Sequence, residues 1–162
     1  MTRPAYVAVV GAGRSGVADA DAETVGRLLA EAGATVVCGG LGGVMEAVCR
    51  GARAGGGRTV GILPGTDRAD ANAYVDVAIP TGLGEARNTV VVRSADVVIG
   101  IDGGHGTLSE LAFAAKIGRP VVGLGTWQLT RGDGTEDDTI HVVDGPEDAV
   151  RVALRLAGDD PS

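Results

Sequence analysis

The chain has 162 residues, 44% of them apolar and only 2% aromatic, and carries a formal charge of −7. That length suits one domain built on one core. The acidic balance, with no cluster of basic residues, argues against DNA or RNA as a partner and leaves a small ligand as the better expectation.

No run approaches the roughly 18 apolar residues of a membrane span, and Met1 to Ala8 lacks the basic start and apolar stretch of a secretion signal. The expectation is a cytoplasmic protein with no membrane partner. In a reducing compartment Cys38 and Cys49 stay as small buried thiols rather than a disulfide, and nothing in the sequence supports a metal site.

The predicted elements alternate between strand and helix along the whole chain. Tyr6 to Val10 is a continuous apolar strand of the kind buried on both faces. Asp21 is placed to cap a helix carrying Val25, Leu28, Leu29 and Ala32 on one face, with Gly33 ending it. A strand from Thr35 to Cys38, a helix with Val44, Val48 and Ala52 in register, and a strand from Arg58 to Leu63 follow. After a polar loop from Thr66 to Tyr74, a strand runs from Val75 to Ile79. Glu85 to Ala95 reads as a helix, although Thr89 to Val92 has strand propensity. Asp96 to Ile101 is the next strand and Thr107 to Ile117 the next helix. Strands from Pro120 to Leu124 and Ile140 to Val143 flank a surface loop at 130–138 that is expected to be mobile, and Pro146 to Ala157 closes the chain as a helix. The pattern predicts a single α/β domain over 1–158, Rossmann-like and three-layered, with a mostly parallel sheet of about seven strands, and a short tail at 159–162.

Glycine is the compositional outlier, with 28 residues against an average of about 7%. Ten of them fall in three turns: Gly11, Gly13 and Gly16; Gly39, Gly40, Gly42 and Gly43; Gly103, Gly104 and Gly106. In a parallel sheet every strand-to-helix turn emerges at the carboxyl edge, so topology brings these three together. Unhindered backbone, free N–H groups and helix N-termini then favour an anion such as phosphate. The first turn fits G-x-G-x-x-G, but strand two ends in Cys38-Gly39-Gly40, where a dinucleotide enzyme places Asp or Glu for the ribose, so NAD is disfavoured. The third turn joins a hydrophobic strand directly to a helix, as a phosphate cradle requires. Thr107 and Glu110 within it read equally well as a capping box or as working residues of a site.

These same residues, Asp102-Gly103-Gly104-His105-Gly106-Thr107-Leu108-Ser109-Glu110, resemble the P-G-G-x-G-T-x-x-E signature of the Lonely Guy (LOG) superfamily, sometimes labelled lysine-decarboxylase-like, with Asp102 in place of Pro. Cys38 to Glu46, Gly61 to Gly65 and Gly84 to Asn88 look most similar to its molybdenum-cofactor-carrier-like branch. The LOG resemblance implies a phosphoribohydrolase that releases a free base and ribose 5-phosphate from adenosine-type or cytokinin monophosphates, needs no cofactor, and works through Arg87 and Glu110. The carrier branch implies binding of a phosphorylated pterin of molybdopterin type. Asn88 stands where the hydrolases have Lys. Because both departures flank the candidate catalytic pair, the leading expectation is a carrier or sensor of a nucleoside monophosphate or pterin cofactor, with the hydrolase as the alternative.

The expected ligand contacts are Gly11, Gly13, Gly39, Gly40, Gly42, Gly43, Asn88, Gly103, Gly104, His105, Gly106 and Thr107. In the hydrolase reading Glu110 stabilises the positive charge that develops on the ribose or orients water, while Arg87 holds phosphate or carboxylate. Trp127 is open to stacking on a base or pterin ring, to anchoring the packing or to a subunit contact, the last two being favoured. A lysine decarboxylase using pyridoxal phosphate is rejected, since the one lysine, Lys116, falls on the helix after Glu110, two turns from the glycine loop and next to the predicted helix end at Gly118. The resemblance also implies a homo-oligomer, a dimer or tetramer. Val90, Val91 and Val92 are candidates for its contact face or for burial inside the monomer.

Overall fold

The computed structural model describes residues 3–158, so the proposed tail at 159–162 lies outside the described residues. The elements in chain order are β1 (Tyr6–Gly11), α1 (Asp19–Glu31), β2 (Thr35–Cys38), α2 (Val44–Ala54), β3 (Arg58–Leu63), β4 (Val77–Pro80), α3 (Arg87–Arg93), β5 (Val97–Ile101), α4 (His105–Lys116), β6 (Val121–Leu124), β7 (Leu129–Thr130), β8 (Glu136–Asp137), β9 (Ile140–Val143) and α5 (Pro146–Gly158). Seven strands form one sheet in the order β4-β3-β2-β1-β5-β6-β9, and every pairing in it is parallel. The fold is a Rossmann-like α/β sandwich.

Two apolar cores lie on either side of the sheet. One packs Val7, Val9, Val36 and Ile99 against α1, α2 and α5. The other packs Ala8, Val10, Val37 and Val98 against α3 and α4. β2, β5 and β6 are buried along their whole length, which is why they read as unbroken apolar runs instead of alternating ones. The edge strand β4 leaves Val77 and Ile79 each 44% exposed.

Several boundaries differ from the sequence expectation. α1 starts at Asp19 with Ala18 as its N-cap, so Asp21 sits in the first turn, where its charge favours the helix dipole without capping it. The helix expected from Glu85 divides into a 3-10 turn at Gly84–Ala86 and the seven-residue α3. Val91 and Val92 are completely buried, so packing overrides the strand propensity of that run and leaves only Val90 half-buried for any contact with another subunit. The segment expected to be a mobile loop contains the antiparallel pair β7–β8. An Arg131–Asp137 ion pair at 2.9 Å and the Asp133 carboxylate, which accepts from Thr135 N–H at 2.9 Å, close that hairpin.

α1 and α2 cross where neither has a side chain. A Cβ on Gly26 would stand 2.0 Å from the Val48 carbonyl oxygen, and one on Gly51 would stand 1.9 Å from that of Glu23. This backbone contact sets how closely α2, and the glycine turn that opens it, lies to β1. Gly51→Ala is expected to lower unfolding free energy by about 2 kcal/mol through overpacking, read as a lower urea midpoint at unchanged slope; an unchanged midpoint would show that the helices separate freely.

Candidate functional site

Strand order reverses between β1 and β5, so the turns leaving these two neighbours run to opposite sides and open a crevice at their carboxyl ends. A cleft of about 230 Å³ occupies this place. Its walls are the β1 turn with Gly11 and Gly13, the β2 turn with Gly39, and the start of α4 with Gly104, Gly106 and Thr107. Arg87 and Asn88 from α3 and Glu110 from α4 complete it, together with Met45, which the sequence reading did not single out. A larger hollow of about 700 Å³ lies at the amino edge, lined by Arg3, Tyr6, Gly33, Gly56 and Asp96 among others. The helix ends there are C-terminal, and an Arg3–Asp96 ion pair at 2.9 Å ties up part of its wall, so it offers an anion much less than the smaller cleft does.

The remaining candidate residues do not line the cleft. Gly40 packs against Leu63 and Gly61 and its carbonyl accepts from Asn72 N–H at 2.9 Å. Gly43, at φ +65°, is the N-cap of α2; a Cβ there would stand 2.2 Å from the Ala12 carbonyl, and Gly42 lies beside Gly13. These glycines bring the second turn against the first. Gly103, at φ +99°, makes room for the side chain of Thr107. His105 is exposed and leans on Trp127, ring centroids 5.4 Å apart.

α4 begins two residues earlier than expected, with Gly104 as N-cap and no side-chain cap. The physical reason is the glycine pair: Gly103 and Gly104 absorb the turn, so Thr107 enters the first helical turn and packs back on Gly103. This excludes the capping box. Glu110 instead lies inside the helix on the face shared by Gly106 and Thr107, turned to the cleft and 9% exposed. A Cβ on Gly13, Gly104 or Gly106 would meet no atom within 4 Å, so the cradle is open to a ligand.

Arg87 reaches across from α3. Its guanidinium donates to Asn88 Oδ1 and to the Gly39 carbonyl at 3.4 Å, while Nε is buried without a partner among the described residues. Burial pushes the Glu110 carboxyl up to about 7, and the positive charge of Arg87 only partly offsets this. Beneath Gly39, Cys38 and Cys49 are free and buried with their sulfurs 3.5 Å apart. A hydrogen bond from Cys49 holds the Cys38 thiol below its ordinary value, helped by Gly40 N–H and the charge of Arg87. The same bond and burial push Cys49 up. Lys116 ends α4, about 16 Å of helix away from the cradle.

A carboxyl that ionises near 4.5 in the unfolded chain and near 7 when folded favours folding only while protonated. Its ionisation therefore removes stability progressively from pH 4.5 to 7, by an amount on the order of 3 kcal/mol, and the loss levels off above that. Urea melts between pH 5 and 8 are expected to show this decline in the native protein and to lack it in Glu110→Gln, which should be the more stable of the two at pH 8. Parallel pH profiles for the two proteins would refute the assignment.

The profile of the SLOG cluster4 family matches residues 4–150. A protein of Archaeoglobus fulgidus described only as uncharacterised is 39% identical over 154 residues, covering 91% of this chain and 93% of its own. Among solved structures, the molybdenum cofactor binding protein of Rippkaea orientalis superposes with a TM-score of 0.84 at 32% identity, over 96% of this chain and 99% of that one. The molybdenum cofactor carrier protein of Chlamydomonas reinhardtii gives a TM-score of 0.85 at 30% identity, over 98% and 100%. With the glycine signature and the carboxyl-edge cleft in place, the chain belongs to the SLOG cluster4 family, on the carrier-like side of the LOG superfamily.

Proposed function

We propose that the protein binds a phosphorylated, nucleotide-like small molecule, a nucleoside monophosphate or a pterin cofactor, in the switch-point cleft and acts as its carrier or sensor. The observation that carries this reading is the unfilled space over Gly13, Gly104 and Gly106 at the N-terminus of α4, facing the guanidinium of Arg87. Helix N-terminal amides and a guanidinium are complementary to phosphate oxygens. The Rippkaea protein binds molybdenum cofactor and the Chlamydomonas protein carries it, which favours a pterin among these ligands.

A cleft of 230 Å³ is smaller than the roughly 300 Å³ and more that encloses a whole drug-sized ligand. It takes the phosphate and the adjoining sugar or pyran ring, and the planar ring system then lies across the mouth. Residues Gly11, Gly13, Gly39, Arg87, Asn88, Gly104, Gly106 and Thr107 form the seat in this reading. Gly40, Gly42, Gly43 and Gly103 shape it from behind.

The second reading is a phosphoribohydrolase, favoured by one observation: the buried Glu110 carboxyl shares the cleft with Arg87. Near neutral pH it is available in both protonation states, as a group assisting N-glycosidic cleavage requires. Calorimetry with AMP and with molybdopterin, followed by assay for free adenine, separates the readings. Saturable binding without turnover supports the carrier, whereas adenine release abolished in Glu110→Gln supports the enzyme. In either case Arg87→Ala is expected to weaken AMP binding more than tenfold, and Arg87→Lys less, because lysine keeps the charge but loses the planar fork.

The reading includes a cytoplasmic, homo-oligomeric protein that binds neither nucleic acid nor membrane. No helix among the described residues is long and apolar enough to cross a membrane. The exposed Val77, Ile79 and Leu83 beside the β4 edge offer an apolar contact for a second subunit. Light scattering is expected to give at least twice the mass of one chain; a single-chain mass would refute the oligomer.

A further inference from the structure

At the end of β5 the backbone must pass from strand to helix within Asp102, Gly103 and Gly104. Asp102 does so at φ +53°, the only non-glycine residue among those described with a positive φ, and Gly103 follows at +99°. A β-carbon in the left-handed region is strained, so neighbouring contacts must hold it there.

Those contacts come from the end of β6 and the segment that continues it, joined at Gly104 by the first turn of α4, whose Leu108 N–H also donates to the Gly104 carbonyl at 3.0 Å. Asp102 N–H donates to the Leu124 carbonyl at 3.2 Å. The Thr126 hydroxyl donates to the Asp102 carbonyl at 2.6 Å, and the Trp127 indole N–H donates to the Gly104 carbonyl at 3.1 Å. Thr126 is seated in a notch made by two glycines, Gly100 and Gly123, which face each other in the β5–β6 register. Cβ atoms at these positions would stand 3.5 Å and 2.9 Å from its methyl group. Trp127 is steadied by the tilted ring of His105.

The peptide bonds here are trans, so each carbonyl points opposite to the N–H of the same peptide. Holding the carbonyls of Asp102 and Gly104 on their partners from the β6 side therefore fixes the N–H groups of Gly103 and His105 in the opposing directions. We propose that Thr126 and Trp127 are positioning residues that hold the turn ahead of α4, as a clasp acting through the Asp102 and Gly104 carbonyls, so that the cleft-lining start of the helix, Gly104 to Thr107, is set before an anion binds. The inference rests on the binding reading for its purpose but not for its geometry. It also gives Trp127, which does not line the cleft, a polar task in place of ring stacking.

The test uses Thr126→Val, which keeps shape and loses the donor, Thr126→Ser, which keeps the donor, and Trp127→Phe. Residual dipolar couplings of the ligand-free protein report the N–H directions of Gly103 and His105, and AMP titrations report binding. Thr126→Val is expected to reorient the Gly103 vector and Trp127→Phe the His105 vector, each weakening AMP binding roughly tenfold, about the worth of one lost hydrogen bond. Thr126→Ser is expected to retain both native values, a rescue that loss of packing alone would not give. Unchanged vectors in Thr126→Val and Trp127→Phe, or equal effects of Val and Ser at position 126, overturn the clasp. If the native protein binds neither AMP nor inorganic phosphate, the anion reading falls, and the couplings still decide the clasp.

Discussion

The architecture depends on backbone meeting backbone where β1 and β5 lie side by side. A Cβ on Gly11 would stand 2.2 Å from the Ile101 carbonyl and 2.9 Å from a methyl group of Val44. Only a residue without a side chain lets β1, β5 and the start of α2 converge there. That convergence sits at the point where strand order reverses, so this close backbone packing and the switch-point cleft share one location. Gly43 against Ala12 and Gly26 against Val48 repeat the same device further out. The unusual glycine content thus serves chiefly to bring chain segments together, and fewer glycines serve to leave room for a ligand.

Electrostatics inside the cleft are asymmetric. The start of α4 and the half-buried guanidinium of Arg87 put positive charge on the wall, while the single acid lining it, Glu110, is 9% exposed. Burial keeps that carboxyl partly protonated near neutrality, which reduces its opposition to an incoming phosphate. A fully ionised carboxylate at the same depth would cancel much of the field that Arg87 supplies. In the proposed binding role a neutral Glu110 accommodates the anion, and in the hydrolase alternative a charged one serves as the base.

Much of the fold was legible because the strands are short apolar runs and the turns are rich in glycine. The parallel sheet, its seven strands and the gathering of turns at one edge all follow from alternation and topology. The start of α4 did not follow, because Thr107 and Glu110 fit a capping box and a cleft wall with equal ease. Only the placement of Gly103 and Gly104 in three dimensions separates them. Arg87 and Glu110 are 23 positions apart, a spacing with no periodicity to exploit, and resemblance alone paired them. The role of Trp127 was likewise invisible, since a lone tryptophan after a strand carries no record of which carbonyl its N–H will meet. Val91 and Val92 show the limit of propensity, because burial under the sheet decided their conformation.

The β7–β8 hairpin and the stretch before it stand on the opposite flank of β5 from the turns of β1 and β2. One wall of the cleft, the β1 and β2 turns, thus comes from the earlier half of the polypeptide, while the start of α4 that faces it is bonded to Thr126 and Trp127 in the later half. Substitutions in the β1 and β2 turns therefore alter one wall without touching the supports of the other, and the two can vary independently within one fold.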